Sequence, residues 1–120
     1  MPWASVVVRK SFGVAAAAHY GPDAYVLLWP SAEMGALPVE GGVAVAYRRE
    51  IEAAPDPDAR RQELEEMLAR RQSPMARAES FSAHEMIDPR ETRPALCQWI
   101  EWVQPLLPTM LGPRSFPYRA

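Results

Sequence analysis

Few side chains in this 120-residue sequence are of types that do chemistry, and their settings narrow the field further. Ser11 and Ser31 each follow an apolar run, where a strand can present a nucleophile, but neither lies in a G-x-S-x-G context. His19 and His84 are the only imidazoles; His19 reads as a helix-end residue and His84 as a surface one. Glu33 and Glu40, across a turn from one another, are compatible with paired acid–base work but read more readily as solvated turn positions. Gly41-Gly42 precedes an apolar segment as a phosphate cradle would, without the Lys-Ser/Thr sequel such a cradle needs. Two distant histidines and the single Cys97 make no zinc site, so no metal is expected.

What remains is the backbone. Residues 5–18 read SVVVRKSFGVAAAA. Val6 to Val8 form a β-branched run suited to a buried strand, and Arg9 and Lys10 end it. Ser11, Phe12 and Gly13 supply a tight turn, and Val14 to Ala18 start a helix. The first N–H groups of such a helix have no intrahelical acceptor, and the dipole favours negative charge in front of them. A corner of this kind can hold a developing oxyanion without a catalytic side chain. An ordinary strand–turn–helix corner is the alternative reading of the same residues.

Composition sets the bounds. The length is that of one domain, and 48% apolar residues can build a core. A net charge of −2 with no basic run gives no electrostatic case for nucleic acid or an acidic membrane. Charge is sparse before residue 51, where only Arg9, Lys10, Arg48 and Arg49 face Asp23, Glu33, Glu40 and Glu50. The first part therefore makes the core, and the second makes solvated helices and a tail. One cysteine points to a reducing, cytoplasmic setting. No apolar run approaches the roughly 20 residues of a membrane span. FGVAAAA is too short and too soon interrupted for a signal peptide.

Thirteen prolines cut the chain into elements. Gly21-Pro22-Asp23 is a loop, and Ala24 to Trp29 is a second buried strand, parallel to the first across a helix. Ser31 to Leu37 is a short third strand. Pro38 to Gly42 turns, and Val43 to Ile51 reads as a helix despite its valines. Asp56, Pro57 and Asp58 cap a charged helix over 58–72 with a Leu64, Met67, Leu68 stripe. Ser73-Pro74 breaks it. Phe81 to Ile87 is ambiguous between strand and loop. Asp88 to Thr92 starts the last helix, whose Leu96, Trp99, Ile100 and Val103 stripe is the clearest periodic signal, with Trp102 off the stripe and toward a partner. The spacing divides the chain into a core over 1–54, a helical part over 55–103 and a Pro-rich extended strap over 104–120.

Several motifs in order resemble one family: Val7-Val8-Arg9-Lys10-Ser11-Phe12-Gly13, Gly21-Pro22-Asp23, Trp29-Pro30-Ser31-Ala32-Glu33, Glu40-Gly41-Gly42-Val43, Tyr47-Arg48-Arg49 and Ile87-Asp88-Pro89-Arg90-Glu91-Thr92-Arg93. Together they resemble the C-terminal part of the carboxyltransferase (beta) subunit of biotin-dependent acyl-CoA carboxylases of the propionyl-CoA and acetyl-CoA type. The resemblance runs over residues 2–103. It implies an α/β fold, a partial crotonase-type domain of ββα spiral units with C-terminal helices. It also implies transfer of a carboxyl group from carboxybiotin, on a partner carrier protein, to the α-carbon of an acyl-CoA. The backbone amides of Val14 and Ala15 would stabilise the biotin ureido oxygen, with Phe12, Gly13, Gly41 and Gly42 as cofactor-binding positions.

Three departures accompany it. Val14 stands where the family has a second glycine, the following helix is about three residues shorter, and Pro38-Val39 replaces a Gly-led pair. Pro2 matches a proline in mid-domain of a subunit several times longer. The resemblance thus implies either a fragment active only with an N-terminal carboxyltransferase half and the biotin carboxylase/biotin carrier subunit, in an oligomer, or a non-catalytic assembly remnant. A CoA-ester hydratase or isomerase on the same scaffold would need an acidic residue over the corner.

Overall fold

A computed structural model describes residues 1–20 and 24–112. Two ββα units follow one another in the chain. The first is β1 (Trp3–Val7), β2 (Lys10–Phe12) and α1 (Gly13–Ala17); the second is β3 (Ala24–Leu28), β4 (Glu33–Gly35) and α2 (Val39–Ala46). Equivalent strands pair in parallel. β1 lies against β3 from Trp3↔Ala24 to Val7↔Leu28, and β2 against β4 from Lys10↔Glu33 to Phe12↔Gly35. A two-residue strand, β5 (Glu85–Met86), completes the larger sheet in the order β1-β3-β5. The α/β architecture and its ββα units are thus as the resemblance implied.

β1 is apolar enough to form as expected, but the chain does not turn into a helix directly after Arg9 and Lys10. It bends at Val8 and Arg9 and re-enters extended structure as β2. The bend is held from one side: Val7, Val8 and Arg9 carbonyls accept from Trp29 N (3.0 Å), Ser31 Oγ (2.5 Å) and Glu33 N (3.0 Å). Inside, Val7, Ala24, Val26, Leu28, Ala32, Met34 and Ala83 make one buried cluster, with Trp3 and Tyr20 packed on it. Leu27, Leu28 and Val43 are fully buried. The central strand β3 carries Val26, Leu27 and Leu28, all buried, so β3 anchors the core.

The helical part follows its capping signals. Asp56 accepts from Ala59 N at 3.0 Å and Pro57 opens α4 (Pro57–Gln72), where Leu64 is the buried anchor. Ser73 accepts from Ala76 N at 3.2 Å and starts α5 (Pro74–Glu79). The region 38–51 differs from a simple turn and helix. α2 already begins at Val39, is kinked at Glu40 and Gly41, and ends at Tyr47, where α3 (Arg48–Ala53) begins. β-branched Val43 and Val45 shorten the helix that the segment can sustain.

One further expectation is corrected, while the last helix stands: α6 (Thr92–Val103) forms after a 3-10 turn at Pro89–Glu91 capped by Asp88, as its periodicity implied. None of its residues is buried, and Ile100 is 53% exposed. Residues Gln104–Met110 are a 3-10 helix rather than an extended strap, because Pro105 sits in its first turn, where no N–H is needed. Gly21-Pro22-Asp23 and the tail prolines Pro113 and Pro117 lie outside the described residues.

The two edges of the smaller sheet differ. On the side of β4 away from β2, Arg77 Nη2 of α5 donates to Met34 O at 3.0 Å, and just past the strand Gln72 Nε2 of α4 donates to Leu37 O at 2.5 Å. β2 and β1 have no neighbour on their outer sides among the described residues. The radius of gyration is 18.6 Å, against roughly 14 Å for a compact domain of this length.

Candidate functional site

Phe12 ends β2 in extended geometry (φ −127°, ψ 152°) and serves as the N-cap position of α1 without a side-chain cap. Gly13 follows at φ 75°, a conformation that glycine adopts freely and that aims the chain into the helix. Val14 and Ala15 occupy the first turn of α1, so their N–H groups have no intrahelical acceptor. Val14 is 90% exposed. A Cβ at Gly13 would meet only Ala36 O, at 3.8 Å.

The second unit repeats the arrangement with a kink. Gly41 takes φ 78°, and Gly42, buried, begins the regular part of α2. A Cβ on Gly42 would approach Leu37 Cβ to 3.0 Å, which fixes glycine there by close packing. The two corners are neighbours because β2 and β4 pair, and an ion pair links them. Lys10 Nζ lies 3.0 and 3.2 Å from the two carboxylate oxygens of Glu40. That hydrogen bond holds the Glu40 carboxyl below the ordinary carboxylate range. Glu40 is thus the partner of the motif lysine, a link that spacing in the sequence did not signal.

The other side-chain candidates separate. Ser11 Oγ is hydrogen-bonded to Tyr20 OH, and Ser31 Oγ donates to Val8 O. Neither serine is hydrogen-bonded to a histidine among the described residues. His19 closes α1 and contributes its carbonyl, which accepts from Trp3 Nε1 (3.2 Å) and Ser5 Oγ (2.8 Å). His84, exposed, accepts from Val26 N through Nδ1 at 3.1 Å and lies against Tyr25. Glu33 sits on β4. Among the described residues no three His, Cys, Asp or Glu side chains come together as a metal site.

An open cavity of about 610 Å³ lies against the first corner, between α1, β4 and α5. Gly13, Val14, Ala17, Met34 and Ala36 line it, with Tyr20 and Arg77 among its polar groups. Neither Tyr20 nor Arg77 stands out in the sequence, since each lies in a segment that reads as a helix end or a short turn of helix. The motifs at the other end of the core also meet. Trp29 Nε1 donates to Thr92 Oγ1 at 2.9 Å, and Thr92 Oγ1 donates to Pro89 O at 2.8 Å. WPSAE and DPRETR therefore form one junction.

The carboxyl transferase domain model matches residues 1–104. The propionyl-CoA carboxylase carboxyltransferase subunit of Haloferax mediterranei is 39% identical over 98 residues, covering 78% of this chain and 19% of that protein. The methylmalonyl-CoA carboxyltransferase 12S subunit of Propionibacterium freudenreichii subsp. shermanii is 38% identical over 106 residues, covering 84% and 20%. A crystal structure of transcarboxylase 12S, a hexamer with methylmalonyl-coenzyme A and methylmalonic acid bound, superposes with a TM-score of 0.76 at 31% identity. It spans 99% of this chain and 22% of its own. The chain thus spans about a fifth of the length of the relatives it matches. With two ββα units, a crotonase-type scaffold and a family match over most of its length, the chain belongs to the carboxyl transferase domain family.

Proposed function

We propose that the chain is the biotin-side portion of an acyl-CoA carboxyltransferase, working with an N-terminal carboxyltransferase half. The observation that carries this reading is the α1 corner, where Gly13 delivers two first-turn amides beside an open cavity. Biotin fits there: the Val14 side chain is exposed, and a Cβ at Gly13 would find only one atom within 4 Å. When bound, biotin supplies the carboxyl group to be moved, and a CoA ester receives it. The part of this chain is to donate the Val14 and Ala15 N–H groups to an oxygen on which negative charge grows, a contribution typically worth a few kcal/mol per donor. Phe12 and Gly13 set the direction of those donors; Gly41 and Gly42 shape the neighbouring corner, tied to the first through Lys10 and Glu40.

The N-terminal half is the partner that the open strand edges suit. Parallel strands added to β1 and β2 would continue both sheets, and the radius of gyration fits a chain that packs against more protein. A biotin carrier subunit would present the cofactor, in a cytoplasmic assembly. Among the described residues no helix is long and apolar enough to cross a membrane.

A second reading, an assembly module without activity, is favoured by Val14 in place of the family's glycine. One experiment separates the two. The chain is combined with an N-terminal half from a relative, and transfer from carboxylated biotin carrier to propionyl-CoA is followed. Turnover that Gly13→Pro abolishes supports the enzyme; a complex that forms without turnover supports the module.

A further inference from the structure

The cavity between α1, β4 and α5 holds a cation with no carboxylate partner among the described residues. Arg77 lines it from α5. Its guanidinium makes one hydrogen bond among the described residues, from Nη2 to Met34 O at 3.0 Å. Its Nε is buried without an acceptor, and no carboxylate there comes within 4.0 Å of it. A half-buried cation with no counter-ion is costly to keep, and it favours an anion brought in from outside.

The rest of the cavity says which anion. Alanines on α1 leave the space open, and Val14, Ala16, Ala17, Met34 and Ala36 give it apolar walls. Ser82 is a further hydroxyl on its rim. A single cation suits a single negative charge, and the planar fork of a guanidinium matches a carboxylate. At about 610 Å³ the space is of the size that small organic ligands occupy. We propose that this cavity binds an aliphatic carboxylate, with Arg77 holding the carboxylate and the alanine-lined wall of α1 holding the hydrocarbon. The proposal goes beyond carboxyl transfer: it concerns the Arg77 side of the cavity that the Gly13 corner adjoins, and binding by this chain alone.

The test is an NMR titration of the full 120-residue chain with propionate, butanoate and pentanoate, and with pentanamide as the uncharged isostere. Affinity should rise about fourfold per added methylene, and pentanoate should bind at least tenfold more tightly than pentanamide. Arg77→Met should make the acid and the amide equal, and Arg77→Lys should keep part of the preference. This ratio is measured within one protein, so a general loss of stability does not imitate it. Equal binding of acid and amide to the unaltered chain, or no saturable binding at all, overturns the proposal. Neither result touches the Gly13→Pro test of carboxyl transfer.

Discussion

Trp29 Nε1 donates to Thr92 Oγ1 at 2.9 Å across 63 residues of sequence, and this bond fastens the end of β3 to the start of α6. Thr92 passes the connection on to Pro89 O, inside the 3-10 turn that Asp88 caps. Thr92→Val keeps the shape and leaves the indole N–H without its partner. The expected cost is about 1–3 kcal/mol, read as a lower urea midpoint, and Thr92→Ser should restore most of it. A midpoint unchanged by Thr92→Val would show that the bond is not made in solution.

Gly13 and Gly35 should respond to alanine for different reasons. At Gly13 there is room, so the penalty is the positive φ, roughly 1–2 kcal/mol. At Gly35 the new Cβ would meet Gln72 Nε2 at 3.0 Å and Cγ at 3.1 Å. Gln72 is 2% exposed and must give up its bond to Leu37 O to move. Overpacking of that kind costs about 1–3 kcal/mol. Pairing Gly35→Ala with Gln72→Ala should recover part of the loss, whereas Gln72→Ala should do nothing for Gly13→Ala.

Phe81 is the one non-glycine residue with positive φ (53°) among the described residues, and its side chain is 93% exposed. The ring contributes little burial to offset the strained backbone. Phe81→Asn, which tolerates this conformation, should raise stability by up to about 1 kcal/mol. Thermal unfolding measures it, and a fall in midpoint would contradict the strain.

Tyr25 is pushed up to about 12, first by desolvation and then by its hydrogen bond to Glu85 (2.8 Å) and the charge of that carboxylate. The folded chain keeps this proton after the unfolded chain, near the ordinary 10.0, has lost it. The stability linked to it is therefore complete below about pH 10 and drains away between there and pH 12. Absorbance titration of the phenolates should show a late step that Tyr25→Phe removes and Glu85→Gln shifts down but not to 10.0, since burial remains.

Much of this was legible in the residues. Val6-Val7, Ala24 to Leu28, the Asp56-Pro57 start and the Ser73-Pro74 break announce themselves because propensity, capping and burial agree there. β2 did not, since Lys10-Ser11-Phe12 is a strand only by virtue of Met34 and Gly35 beside it. Glu85-Met86 is likewise extended through its pairing with β3, with both residues exposed. The stripe on α6 named a helix correctly; periodicity reports an apolar face and says nothing of what covers it, and no residue of α6 is buried. The corner at Gly13 was readable from a glycine between a strand and small residues. The Lys10–Glu40 bridge and the approach of Arg77 to Met34 depend on how the second unit stacks on the first, which no local signal carries.

The capping of β4 by Gln72 and Arg77 gives the spiral a direction. Arg77 occupies the Met34 carbonyl that an incoming strand would need, and Gln72 holds the Leu37 carbonyl just past the strand, so the smaller sheet is closed on that flank and lengthens through β2. Two copies approaching β4 to β4 would find the ladder already spoken for. Growth of the smaller sheet, by gene fusion or by docking, is thereby restricted to the flank of the first ββα unit.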